Sequence, residues 1–186
     1  MPKLKLPKGG PFGDVKETPS VADFAGMGEV TLLSKAKMLE NLLNHIEDLK
    51  GSPYEKGIEY LAEKAPHVMG SIRNIQQVPE RLSTILGSFF ANPAHRAAGN
   101  LKGVPVGDIR LNPAKIGAVF GGDPSQTLAH EATHAAQALM QGIPKFEDAY
   151  TAANSRFMGY ARNAYEHGAN KVGRNVKKAV QTRRPK

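Results

Sequence analysis

Between Asp123 and Pro144 the chain carries helix signals at both ends, and these fix the register of everything between them. Asp123 stands where an N-cap belongs, Pro124 takes the first helical position, and Gln126 follows the Asp at capping-box spacing. At the far end Gly142 suits a positive-φ cap and Pro144 opposes continuation. The spacing predicts a helix over Pro124–Gln141. Inside it lies His130-Glu131-Ala132-Thr133-His134, which reads H-E-x-x-H. Residues four apart share a helix face, so His130 and His134 can aim both imidazoles at one Zn²⁺. Glu131 lies roughly 100° round the axis, within reach of a zinc-bound water without being a ligand, as a general base must be. Leu128, Ala132, Ala135 and Leu139 form a stripe on nearly the opposite side. The pattern assigns one face to the core and the other to chemistry.

The rest of the composition narrows the chemistry. With 186 residues and no cysteine, the chain can bury the core of one domain but offers no thiolate ligands, which leaves histidines and carboxylates. No apolar run reaches membrane-spanning length, and Met1–Gly10 lacks the hydrophobic centre of a signal peptide. The expected setting is therefore the cytoplasm, or a virion or secreted location reached without a cleaved signal, with no membrane contact. The net charge of +8 is concentrated at the ends. Lys171–Lys186 holds seven cations and no acid, and Met1–Pro19 holds four lysines against Asp14 and Glu17, so the body is nearly neutral. An acidic partner for the basic tails fits this distribution. Specific nucleic-acid binding is not expected, because no aromatic residues interleave with the C-terminal charges.

Four regions follow: a basic extended arm over 1–19, a helical N-terminal region over 20–98, a metal-binding region over 99–175, and a basic tail over 176–186. In the second, a helical period runs from about Gly28 to Lys50, with Leu32, Leu33, Ala36, Leu39, Leu43, Ile46 and Leu49 inward. Further helices are expected over Pro53–Lys64, Val68–Gln77 and Pro79–Ala91, the last with Leu82, Ile85, Leu86 and Phe89 inward. His45, His67 and His95 lack neighbours at ligand spacing and read as solvated or hydrogen-bonded histidines. Val104–Leu111 is the best strand, whereas Ala114–Phe120 fits either a strand or a helical turn. The fold class expected is predominantly helical α+β, with a short strand region before the H-E-x-x-H helix and a helical N-terminal half.

A catalytic zinc needs a third protein ligand and an open position. The metzincin arrangement is absent: Gln137 occupies the place of its Gly, and no His follows His134 until His167. Downstream, about Glu147–Lys178 reads as helical, with an apolar stripe of Phe157, Ala161, Ala164, Gly168, Val172 and Val176. Glu166 falls opposite that stripe, on a face shared with Gly159, Arg162, Asn163, Asn170 and Gly173. Gly159 and Gly173 would let another backbone come close. Both Glu166 and His167 are candidate third ligands.

H-E-x-x-H followed by a helix bearing Glu166-x-x-x-Asn170 resembles the gluzincins, the thermolysin-like zinc metallopeptidases. It is still more similar to the short H-E-x-x-H domains of bacteria and their phages, in which H-E-x-x-H-x-x-Q continues into a second helix with a Tyr-Glu step. Here these are His134-Ala135-Ala136-Gln137 and Tyr165-Glu166, and the resemblance spans roughly 104–175. It implies a zincin-like core, Zn²⁺ as cofactor and a peptide or protein substrate. The ligands would be His130, His134 and Glu166, with Glu131 as general base and Asn170 accepting a hydrogen bond from a ligating His. A donor to the oxyanion would come from Tyr150, Tyr160, Tyr165, His167 or Arg162. The strand residues Asp108, Ile109, Arg110 and Leu111 would lie at an edge beside the metal and pair with the substrate backbone. The alternative is a catalytically silent, zinc-stabilised structural or interaction module of a phage or secretion assembly.

Overall fold

A computed structural model describes residues 32–98, 100–116, 122–156 and 163–183. It is a predominantly helical α+β fold with one small sheet. The basic arm over 1–19 lies outside the described residues, as do Tyr160, Arg162 and most of the Ala114–Phe120 stretch.

Helix α1, Lys35–Leu49, begins at Ser34, whose hydroxyl accepts a hydrogen bond from Lys37 N at 3.2 Å. Of the leucines expected inward, Leu49 and Leu33 just ahead of the helix are buried, but Leu39 and Leu43 are each 56% exposed. The buried face is Asn41, His45 and Leu49. Asn41 Nδ2 donates to Gly70 O at 3.0 Å and His45 Nε2 bonds Ile72 O at the same distance. Those two bonds set the rotation of the helix about its axis, because both carbonyls are buried and need donors. Gly70 is required at the crossing, since a Cβ there would lie 2.5 Å from Met38 O.

Helix α2, Glu55–Lys64, buries Ile58 and Leu61 as expected, with Tyr54 just before it. Pro66 closes that helix and at once opens α3, Pro66–Ser71, where its missing N–H costs nothing. The next two expected helices are corrected. Ile72–Gln77 forms strand β1 and Gly87–Ala91 forms β2, joined by an irregular segment in which Leu82 is wholly exposed and Ile85 58% exposed. The N-terminal half is therefore not all helical. A short helix α4, Ala94–Ala98, leads on to strand β3, Gly107–Leu111.

The sheet order is β1-β3-β2, with β3 parallel to β1 and antiparallel to β2. Both strands contributed by 20–98 thus pair with the one contributed by 99–175, so a single core spans that boundary. The same topology overturns the expectation for Asp108–Leu111: β3 is the central strand, its main chain occupied on both sides. The edge strand on that flank is β2.

Helix α5 runs Pro124–Gln141, as predicted, with Asp123 Oδ1 accepting from Gln126 N at 2.9 Å. Gly142 closes it at φ +86°. Leu128, Ala132, Ala135 and Leu139 face the core, but the chemical face is covered too: every residue from Thr127 to Leu139 is buried. Helix α6, Ile143–Arg156, and helix α7, Ala164–Thr182, replace the single long segment expected downstream. Helix α7 packs along α5, with Glu166, Gly168, Ala169, Val172, Gly173 and Val176 buried. Glu166 shares the packed side of its helix and does not lie opposite it. Gly173 allows the approach, since a Cβ there would sit 2.7 Å from Gln126 O. The supposed C-terminal tail continues α7 to Thr182, and Arg183 then bonds Glu63 at 2.7 Å and stacks over Tyr60.

Candidate metal centre

Successive turns of α5 set His130 and His134 one above the other, and the first turn of α7 brings Glu166 against both. His134 Nε2 lies 3.2 Å from His130 Nε2, Glu166 Oε2 lies 3.0 Å from His130 Nε2, and Glu166 Oε1 lies 3.3 Å from His134 Nε2. All three side chains are buried, Glu166 to 1% exposure. A tetrahedral zinc with bonds of about 2.0–2.1 Å has ligand atoms separated by roughly 3.3 Å. The three observed separations fall at or just inside that value. Two imidazole nitrogens, each within 3.3 Å of one or the other oxygen of a single carboxylate, form a donor set that fits a small divalent cation.

The supports of this cluster differ in part from those expected. His134 Nδ1 bonds Gln137 Oε1 at 2.9 Å, so Nδ1 carries a proton and Nε2 is the nitrogen aimed at the cluster. Gln137 Nε2 in turn donates to Tyr165 O at 3.3 Å, tying α5 to the turn of α7 that carries Glu166. Gln137 therefore holds the position expected of Asn170, which instead lines a groove beside His130. The signal was present, because a residue three after His134 shares its face.

Among the candidate donors, Tyr150 alone reaches the cluster within the described residues, and its hydroxyl donates to Glu166 Oε1. Burial and the Glu166 carboxylate both push the Tyr150 hydroxyl pKa up, so it remains a donor. Tyr165 is turned away, its hydroxyl bonded to Gln141 Oε1 at 2.9 Å. His167 is exposed on the outer side of α7, which removes it as third ligand. Tyr160 and Arg162 fall outside the described residues. Burial works to lower the His134 pKa, but its hydrogen bond to Glu166 and the charges of Glu131 and Glu166 outweigh it and raise the value.

Glu131 is buried beside the cluster, and burial pushes its carboxyl pKa up while His130 and His134 pull against that shift. The Phe89 backbone N–H bonds its carboxylate. Strand β2 passes so close that a Cβ on Gly87 would lie 2.9 Å from Glu131 Cγ. Sequence reasoning missed β2 entirely, and the feature that could have exposed it is this glycine ahead of the Phe89-Phe90 pair.

Two grooves open over the cluster. One, of about 440 Å³, is bounded by Thr84, Leu86, Gly122, Gln126, Thr127 and Asn170. The other, of about 580 Å³, is bounded by Phe90, Ala91, Arg96, Phe146, Glu147 and Thr151. Both share Ile85, Gly87, His130 and Glu131, so they meet at the cluster. Phe146 forms the aromatic wall, with its ring centroid 6.2 Å from His134, 6.3 Å from Phe89 and 5.7 Å from Tyr150.

No family model, curated protein or solved structure matches the chain. Among the described residues, no helix is long and apolar enough to cross a membrane.

Proposed function

We propose that the chain is a zinc-dependent metallopeptidase with a zincin-like core. The observation that carries this reading is the convergence of His130 Nε2, His134 Nε2 and the Glu166 carboxylate at metal-ligand spacing, with Glu131 at the mouth of a cleft. These three side chains would hold Zn²⁺, which would supply Lewis acidity and make a water more acidic, toward neutrality.

The remaining roles belong to the chain. Glu131 accepts a proton from the attacking water and passes it to the departing amine, a task suited to a carboxylate that lines the cleft beside the cluster. Its bond from Phe89 N–H and its contact with Gly87 fix the carboxylate's rotamer. Tyr150 orients Glu166 and is the candidate donor to the developing oxyanion, since it lines the larger groove.

Substrate pairing moves from β3 to β2. Asn112 N donates to Leu86 O at 2.8 Å and Asn92 N to Val106 O at 2.9 Å, so residues 86 and 92 turn their main chain toward β3. By antiparallel alternation 88 and 90 do the same, leaving the main-chain groups of 87, 89 and 91 directed outward, the Phe89 N–H engaged by Glu131 and those of Gly87 and Ala91 available for pairing. An extended peptide can add to that edge, placing a scissile carbonyl over the cluster.

The cleft favours this reading over a silent zinc-stabilised module, for which a closed site would suffice. The test is elemental analysis of purified protein together with an assay on an unfolded protein substrate, with and without chelator. Stoichiometric zinc and chelator-sensitive cleavage support the proposal. Bound zinc without cleavage under any condition rejects the peptidase and leaves the module.

A further inference from the structure

Resting on the peptidase reading, we infer that the substrate is an internal segment of an extended chain, so that the enzyme is an endopeptidase with no requirement for a free terminus. The carrying observation is that grooves leave the metal cluster in both directions. An exopeptidase needs one arm closed, or furnished with a charge that pairs with the substrate's terminal ammonium or carboxylate. Neither condition is met among the described residues.

Among the described residues the smaller arm is walled by Thr84, Leu86, Gly122, Gln126, Thr127 and Asn170, with no charged side chain apart from Glu131 at the junction. These walls can hold a peptide's neutral main chain, but beyond the junction they offer no partner for an ammonium or a carboxylate. The larger arm does contain charges, Arg96 and Glu147, but these face one another at 3.8 Å. Arg96 is also largely in solvent, its side chain 72% exposed, where its attraction for a terminal carboxylate is screened. The nearer walls of this arm are Phe90, Ala91 and Phe146, which suit side chains and not chain ends.

The strand supports the same conclusion. The outward main-chain groups of β2 run from Gly87 to Ala91, four residue steps or about 13 Å at strand rise. Gly87 stands at the junction of the arms, while Ala91 lines only the larger one. A paired peptide therefore runs several residues past the reacting bond along the larger arm, and the uncharged smaller arm receives the chain on the other side. Hydrolysis consumes one water and yields two peptides, one with a new carboxylate and one with a new amine.

The experiment uses zinc-loaded full-length protein and a ten-residue neutral peptide, acetylated and amidated, alongside the same sequence with free ends. Mass spectrometry is expected to show internal cleavage of the blocked peptide at a rate within about twofold of the free one. One-residue trimming confined to free-ended peptides would overturn the inference while keeping the hydrolase. No cleavage of either peptide by folded, zinc-loaded protein would overturn the peptidase reading and this inference with it. A second readout is independent of turnover: Glu131→Gln protein is titrated with the blocked peptide and with versions shortened by three residues from either end. Each truncation is expected to weaken binding roughly tenfold. Loss from one end only would contradict a two-armed site. Thr84→Trp and Thr151→Trp, each filling one arm, should both lower kcat/KM for the blocked peptide by about the same factor. Exclusive cleavage at a free carboxylate, abolished by Arg96→Ala, would instead assign Arg96 as a terminus anchor.

Discussion

Two pairs of buried histidines in this chain do opposite things. His45 and His95 are each committed to main chain: His45 Nε2 bonds Ile72 O, while His95 Nε2 bonds Pro105 O and its Nδ1 accepts from Leu101 N. His130 and His134 point their Nε2 atoms at one another and at a shared carboxylate. Burial is common to all four and so carries no functional information. What differs is where the ring nitrogens are aimed. A ring satisfied by carbonyls and amides braces the fold, whereas two ring nitrogens converging on one buried carboxylate have the grouping of metal ligands.

The sharpest way to break the comparison is at Glu131, the proposed acid-base group beside His130 and His134. Glu131→Gln should keep the metal and lower turnover by about 10²–10⁴-fold, measured as kcat on an unfolded substrate at matched zinc content. Next in size is the linkage between metal and stability. If His130 and His134 hold zinc and His45 does not, chelation should lower the Tm of the wild type and of His45→Ala but leave His134→Ala unchanged. The linked free energy is about 4 kcal/mol when free metal exceeds the dissociation constant a thousandfold. A chelator effect surviving in His134→Ala would erase the distinction.

A smaller effect is expected at Gln137, which sets the tautomer of His134 and braces α7 through Tyr165 O. Gln137→Ala should weaken zinc binding roughly 10–100-fold in a competition titration, with Glu131 untouched. Unaltered affinity would show that the bond does not orient the ring.

The smallest effect concerns His45. Burial holds its pKa below the ordinary 6.5, against opposing hydrogen bonds and Asp48. The unfolded ring therefore takes up a proton near 6.5 while the folded ring stays neutral. The resulting stability is complete above that pH and is lost as pH falls toward the lowered folded value. The zinc-free wild type should lose more denaturant resistance than His45→Asn between about pH 7.5 and 5.5. Equal slopes would remove His45 from the titration.

How much of this was legible in the sequence depended on the range of the interactions involved. Helix α5 came out with its bounds intact because Asp123, Pro124, Gly142 and Pro144 act within a turn of their own positions. His130, Glu131 and His134 followed from that register, and Glu166 was found as the third member although its helix face was misassigned. Beyond Ser71, the helices expected up to Gln77 and over Pro79–Ala91 do not form, for the opposite reason. Ile72–Gln77 and Gly87–Ala91 are strands because β3, distant in the sequence, pairs with both, and their own residues carry no alternation that announces it. Placing β3 in the centre and β2 at the edge needed that same distant pairing. The exposure of Leu39 and Leu43 likewise followed from two carbonyls, at Gly70 and Ile72, that no helical periodicity can reveal.

The account stands most directly on a titration of zinc-free protein with Zn²⁺, followed by X-ray absorption of the loaded form. It predicts one zinc per chain, two imidazoles and at least one carboxylate oxygen in the coordination shell, and weaker binding in Glu166→Ala. Wild-type protein that takes up no zinc, or Glu166→Ala that binds it with undiminished affinity, would contradict the three-ligand centre.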